Sequence, residues 1–303
     1  MKIVLTGSLG HISKPLAQQL ISKGHNVTLI SSSSQRQEEI TALGATPAIG
    51  SVTDVDFLTR TFKGTDAVYT MVPPPSNYSD PAFDAMAYSK NVRNAYFEAL
   101  AKTGVKRVVN LSSWGAHRDS GTGGIVTTYY MEQLLNTLPN DVAITHVRPT
   151  SFYYNMFSFI PRIKQTGQIA LNYGGEDRIS LVAPEDIAEA VAEVLENIAE
   201  GRNVRYVASD EQNCNEIARV LGKAIGMPDL QWIRISDEQA KNNLEAAGLR
   251  PAMAAGIAEI QGAIHKGLLA EHYILHKPAK MGKIKIADFA KVFAAKFHAN
   301  NYI

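Results

Sequence analysis

The residues best placed to do chemistry stand at the start of the chain. Between an apolar run at 2–6 and a stretch of helical spacing at 14–23 lies a polar turn of Gly7, Ser8, Leu9, Gly10, His11, Ile12 and Ser13. Leu16, Leu20 and Ile21 share one face of the second stretch, and Pro15 sits in a first helical turn, which tolerates its missing N–H. Strand, glycine turn and helix in this order open a dinucleotide-binding fold. Gly7 permits the sharp exit, Gly10 lets main chain approach a pyrophosphate, and free amides at the helix start attract its charge. The spacing is Gly-x-x-Gly-x-x-Ser, and Ser13 is small enough for the close packing that a third glycine usually allows. An ordinary strand-to-helix turn is the competing reading.

A carboxylate at the end of the second strand, about 20 residues past the glycines, holds the ribose 2′-hydroxyl in NAD-selective folds. Ser31 and Ser32 occupy that position, followed by Ser33, Ser34 and Arg36. Hydroxyls and an arginine suit a 2′-phosphate that a carboxylate would repel, so NADP(H) is favoured over NAD(H). A solvated turn with Arg36 facing water is the alternative.

These groups need elements to hold them. The sequence alternates strands at 26–30, 46–49, 67–72, 107–111, 143–147 and 204–207 with helices at 37–43, 55–62, 81–102, 131–138 and 184–198, and Pro73, Pro74 and Pro75 close the fourth strand. Such alternation predicts an α/β fold, a doubly wound parallel sheet covered on both faces. Residues 1–150, completed by 184–208, form the expected nucleotide-binding domain. After 208 the pattern turns helical, at 215–225, 237–247, 254–268 and 286–297, and residues 152–175 are irregular and aromatic-rich. Segments 151–183 and 209–303 are therefore expected to form a smaller, mainly helical substrate lobe over the carboxyl ends of the strands, where ligands lie in open α/β sheets.

Composition narrows the partners. Thirty Lys and Arg against 29 Asp and Glu give a formal charge of +1, no basis for attracting nucleic acid or an anionic membrane. The one cysteine, Cys214, cannot form an internal disulfide, and its neighbours Asn213, Asn215 and Glu216 offer no base. No apolar run approaches the roughly 20 residues of a membrane span, and a charged second residue leaves no room for a signal peptide. The expectation is a soluble cytoplasmic protein acting on a small molecule, alone or as a homodimer. His272 and His276 stand four apart without a carboxylate ligand in sequence, so no metal is expected.

Several segments in a fixed order resemble the NmrA-like group of atypical short-chain dehydrogenase/reductases, which includes NAD(P)H-dependent quinone and azo reductases and non-catalytic regulators. They are the turn at 6–12, residues 104–113 (GVKRVVNLSS), 132–135 (EQLL), 148–155 (RPTSFYYN) and 185–188 (EDIA). The resemblance covers residues 1 to about 200. It implies that residues 7–12 hold the pyrophosphate and that Ser31, Ser32 and Arg36 border the adenosine ribose. It also implies that Met71, Val72 and Pro73 flank the cofactor, with Ser112 near the nicotinamide and Phe152 beside its ring. The aspartate frequent after the third strand is missing at Gly50-Ser51-Val52.

Catalytic short-chain dehydrogenases use Tyr-x-x-x-Lys, whose lysine lowers the tyrosine pKa. Counted back from Glu132, those positions are Gly124 and Thr128, so the dyad is absent. Alcohol oxidation and sugar epimerisation are thereby disfavoured. Reduction of a quinone-like, electron-poor acceptor asks less, because the cofactor carries the chemistry and positioning suffices. Ser112, His117, Tyr129 and Tyr154 are candidate proton donors. Phe152, Tyr153, Tyr154, Phe157 and Phe159 form either a wall for a flat acceptor or part of a core. The competing function is a cofactor-binding redox sensor that signals through a protein partner.

Overall fold

The computed structural model describes residues 1–74, 80, 83–197 and 199–299. In the first half β1 (Lys2–Leu5), α1 (Ser13–Ser22), β2 (Asn26–Ser31), α2 (Gln37–Ala42), β3 (Thr46–Ile49) and α3 (Val55–Phe62) come first. β4 (Ala67–Thr70), α4 (Ala85–Thr103), β5 (Arg107–Leu111), α5 (Val126–Asn136) and β6 (Ala143–Pro149) complete it. The second half holds β7 (Ser151–Phe152), α6 (Ile160–Thr166), β8 (Gln168–Leu171), β9 (Arg178–Val182), α7 (Pro184–Glu196), β10 (Arg202–Val207) and β11 (Asp210–Asn213). It ends with α8 (Cys214–Ile225), β12 (Gln231–Arg234), α9 (Asp237–Ala246), α10 (Pro251–His265), α11 (Glu271–Leu275) and α12 (Ile286–His298).

Seven strands form one sheet in the order β10-β6-β5-β4-β1-β2-β3, and the pairings from β3 through β6 are parallel. The doubly wound α/β fold read from the alternation is therefore the one found. The chain builds outward from β1 to β3, then crosses back to lay β4 on the other side of β1. That reversal makes a switch point at the carboxyl ends of β1 and β4. β4 is buried at all four residues because helices cover both faces of a parallel sheet.

The chain divides into two compact units. The first comprises Met1–Ser113, Thr127–Arg148 and Ile187–Arg205; the second comprises Trp114–Val126, Pro149–Asp186 and the chain from Tyr206 onward. In the first, Val4, Val68, Val108 and Ile144 of the sheet pack with Leu58 and Phe62 of α3, Tyr96 and Leu100 of α4 and Leu135 of α5. In the second, Tyr153, Phe159, Ile217, Trp232, Phe289 and Phe293 belong to one apolar cluster. Helix ends follow their caps. Asp84 accepts from the amides of Met86 and Ala87 to start α4, and Gly104, at φ +68°, stops it.

Three departures from the sequence reading have physical causes. α5 begins at Val126, five residues before the expected 131; its first turns are β-branched and aromatic (Val126, Thr127, Thr128, Tyr129, Tyr130), which hid the start from the sequence. Weak local propensity there is overridden by burial of Met131, Glu132 and Leu135. Segment 152–175 is ordered, with a 3₁₀ turn at Tyr153–Phe159 followed by α6 and β8. The second unit is helical but also carries two small sheets, β11-β9-β7 and β12-β8. Their strands are short, and β11 (Asp-Glu-Gln-Asn) is polar throughout, so only β9 (Arg-Ile-Ser-Leu-Val) shows a brief alternation. Pro75, the expected helix start at Pro81, and Ile198 lie outside the described residues.

Candidate functional site

The turn after β1 is pinned at both ends. Thr6 donates its amide to Tyr69 O at 3.1 Å, and its Oγ1 accepts the Met71 amide at 2.9 Å. Its carbonyl accepts the Ser13 hydroxyl at 2.8 Å. Gly7 then leaves the strand at φ +87°, and a β-carbon there would lie 2.4 Å from Met71 Sδ and 2.5 Å from Ser13 Oγ. Ser8 follows at φ +52°, a left-handed conformation uncommon for a non-glycine residue. Its Oγ is buried and has no hydrogen-bond partner among the described residues. A β-carbon on Gly10 would stand 3.0 Å from Gly7 O, a tight approach that favours glycine on this side of the turn too. α1 starts with no side-chain cap on its amides. The result is a tightly packed stretch of main chain with an unspent hydroxyl and the positive end of a helix.

Around it, Ser31 is buried and its Oγ accepts the Ser33 amide at 3.2 Å, so this hydroxyl closes the turn after β2. Ser32 and Arg36 are exposed, and Glu39 beyond them is paired with Lys14 at 2.8 Å. The segment after β4 is held from α4, where the Tyr96 hydroxyl donates to Met71 O at 2.8 Å and that of Tyr88 to Pro73 O at 3.1 Å. Sequence reasoning missed both tyrosines. Only their separation of eight residues, about two turns of helix, hinted that they share a face.

Ser112, directly after β5, is buried among charged partners. Its hydroxyl donates to Glu132 Oε1 at 2.5 Å, and Glu132 is gripped by Arg148 through Nε (2.9 Å) and Nη2 (2.5 Å). Beside it runs a row the sequence reading did not find. The parallel register sets Thr70 against Asn110 and Asn110 against His146. The Thr70 hydroxyl donates to Asn110 Oδ1 (3.1 Å), the Asn110 amide faces His146 Nδ1 (3.2 Å), and His146 Nε2 faces Asn136 Oδ1 (3.0 Å). Burial pushes the His146 imidazole down to about 4; Glu132 opposes this shift, and Arg148 and Arg202 reinforce it. Tyr129, half-buried, packs edge-on against Tyr130, whose ring lies under Arg93.

In the second unit the five expected aromatics separate into two groups. Tyr153 and Phe159 are buried in the core, where Tyr153 stacks on Phe289 at 5.1 Å and Phe159 meets Trp232 edge-on; Phe157 packs against Phe289 and Phe293. Phe152 and Tyr154 remain half-buried and stack on each other at 5.1 Å. Of the two readings the sequence left open, wall or core, the core holds for Tyr153, Phe157 and Phe159. Burial raises the Tyr154 phenol above its ordinary value, which makes it a poorer acid. His117 faces Glu271 Oε2 at 3.3 Å and stacks on His272 at 5.6 Å. Hydrogen bonds first from His117 and then from Arg118 hold the Glu271 carboxyl below its usual range. Cys214 is buried, and burial drives its thiol upward, away from nucleophilic use. Among the described residues no cluster of three or more His, Cys, Asp or Glu could hold a metal, and no helix is long and apolar enough to cross a membrane.

A family model described as NAD(P)H-binding matches residues 7–198, from the glycine turn to the end of α7. The chain belongs to that NAD(P)H-binding family. The resemblance to NmrA-like atypical short-chain dehydrogenase/reductases fits the match. A Streptomyces griseus protein, (4-alkanoyl-5-oxo-2,5-dihydrofuran-3-yl)methyl phosphate reductase, is 26% identical, covering 96% of this chain and 99% of its own. The fold is shared with an NADPH-dependent quinone oxidoreductase of Escherichia coli solved with NADPH. That structure has TM-score 0.78 and 19% identity, over 96% of this chain and 99% of that one. It is shared equally with the triphenylmethane reductase of a Citrobacter species solved with NADP(H), at TM-score 0.74 and 19% identity over 96% and 99%. This NAD(P)H-binding chain therefore shares its fold with those two structures. The turn fits the family's ligand on its own terms: an orphaned serine hydroxyl and the uncapped start of α1 suit a dinucleotide diphosphate.

Proposed function

We propose that this protein is an NAD(P)H-dependent reductase of small, electron-poor conjugated acceptors such as quinones, with NADPH preferred. The observation that carries the reading is the turn at Gly7, Ser8 and Gly10, whose strained serine and unspent hydroxyl have a use only with a ligand in place. Gly7, Ser8, Leu9, Gly10, His11 and Ile12 would hold the diphosphate, Ser32 and Arg36 the 2′-phosphate, and Met71, Val72 and Pro73 the flank of the cofactor.

When bound, NAD(P)H would supply a hydride, and for a neutral acceptor one proton from solvent would complete the two-electron reduction. What the chain contributes is binding and orientation. The positions of a Tyr–Lys acid are filled by Gly124 and Thr128, and neither can lend a proton as that pair does. Acceptors must therefore tolerate a late proton. Those in the relatives' names fit this: a quinone and a 5-oxo-dihydrofuran spread the incoming charge over a conjugated system, and a cationic triphenylmethane dye is neutralised by the hydride and needs no proton.

The missing acid also favours a second reading, a cofactor-binding redox sensor that acts through a protein partner without turnover. One assay separates them. Purified protein is mixed with NADPH or NADH and a panel of quinones, a triphenylmethane dye and an unsaturated lactone, and loss of the reduced-nicotinamide absorbance is followed. Turnover, faster with NADPH, is expected. Calorimetric binding of the cofactor with no turnover of any acceptor would replace the reductase by the sensor.

A further inference from the structure

The buried trio Ser112, Glu132 and Arg148 fixes the position of a single hydrogen atom. Relative exposures of 6%, 2% and 5% shut water out of the contact. Arg148 can only donate, and it occupies both oxygens of Glu132 from Nε and Nη2. The ion pair makes Glu132 a carboxylate, which can only accept. At 2.5 Å the Ser112–Glu132 contact needs one hydrogen between the oxygens, and serine alone can supply it. The Ser112 amide is also committed, donating to Val147 O at 2.7 Å.

Stability does not explain this arrangement, because two charges taken out of water gain little that apolar side chains of the same volume would not. Position does. Ser112 directly follows β5, at the carboxyl edge of the sheet two strands from β1, the edge on which ligands of open α/β sheets lie. We propose that Glu132, clamped by Arg148, turns the hydroxyl hydrogen of Ser112 inward, so that Ser112 meets a bound ligand with an oxygen lone pair, accepting a hydrogen bond and delivering no proton. Glu132 and Arg148 are then positioning residues for Ser112. The identity of the ligand rests on the reductase reading; the direction of the hydrogen does not.

Two measurements test this. Neutron diffraction from a deuterium-exchanged crystal of the full chain shows where the serine deuteron lies. Density on the line from Ser112 Oγ to Glu132 is expected, and density pointing away from Glu132 overturns the proposal whether or not the protein proves to be a reductase. In turnover, Ser112→Ala should lower kcat by less than about 10-fold and leave the pH profile and solvent deuterium effect unchanged, with Ser112→Thr near wild type. A loss of about 10² to 10⁴ in kcat together with a vanished solvent isotope effect would make Ser112 the proton donor and overturn it. Glu132→Gln should raise the KM of cofactor or acceptor as much as Ser112→Ala does, and the double variant no further. Independent, additive effects would overturn the positioning role. If the glutamine variant does not fold, because Arg148 loses its partner, the alanine variant and the neutron map still decide.

Discussion

Lowering the pH should weaken the fold through one buried imidazole. His146 is 1% exposed, lies between Asn110 and Asn136, and titrates near 4 in the fold against an ordinary value of 6.5. Depression of a base means that the neutral form is the one folded. Above pH 6.5 the imidazole is neutral in both states and its contribution is fully present. Between 6.5 and about 4 the unfolded chain takes up a proton that the native chain refuses, so stability falls with pH across that window. At about pH 5 the loss relative to neutrality is about 2 kcal/mol, approaching roughly 3 kcal/mol once both states are protonated. Urea unfolding of wild type and His146→Gln, whose amide can span the same partners, isolates this contribution. The stability difference between them should shrink by about 2 kcal/mol from about pH 7 to about pH 5. In a proton NMR titration the His146 ring resonance should stay still until well below its ordinary value. Titration near 6.5, or a difference independent of pH, would refute the argument that burial dominates.

Two substitutions test the nucleotide site. Gly7→Ala sets a β-carbon at a positive φ, 2.4 Å from Met71 Sδ and 2.5 Å from a Ser13 hydroxyl already committed to Thr6 O. It should cost about 1–3 kcal/mol in urea unfolding and weaken cofactor more than about 10-fold by calorimetry, and binding as in wild type would remove the turn from the site. Arg36→Ala should weaken NADPH by about 1–3 kcal/mol while sparing NADH, through loss of a charge-assisted hydrogen bond, and equal weakening of both would exclude a 2′-phosphate contact at this residue.

What the sequence disclosed and what it hid divide along a physical line. β3, α3 and β5 occupy the spans read from the sequence, because short apolar runs between turn residues are local signals. The glycine turn is local too, since its spacing, the helix after it and Ser13 all lie within about one helical element. The Thr70–Asn110–His146 row is not local. Its members stand 40 and 36 residues apart, and only the parallel register of β4, β5 and β6 makes neighbours of them. Glu132 and Arg148 were legible as parts of motifs, but not as partners of each other or of Ser112. The aromatic run at 152–159 shows a different limit. Its composition left wall and core equally open, and the 3₁₀ turn divides it, sending Tyr153 and Phe159 inward and leaving Phe152 and Tyr154 outside the core.

The two strained or costly features of the first unit point the same way. Ser8 accepts a backbone conformation that glycine would adopt more easily, and it keeps a buried hydroxyl without a partner. Ser112 holds its hydroxyl against a buried ion pair that an apolar trio could replace. Both residues stand just beyond the carboxyl ends of strands, where the ladder stops and main-chain and side-chain groups need other partners. A fold selected for stability alone would place glycine at the first position and an alkyl side chain at the second. Retaining two oriented oxygens there instead makes sense if a ligand completes them: a diphosphate accepting from Ser8, and a hydrogen-bond donor satisfying the lone pair of Ser112. On the proposed reading the two serines would meet a ligand with opposite polarity, Ser8 as a donor and Ser112 as an acceptor.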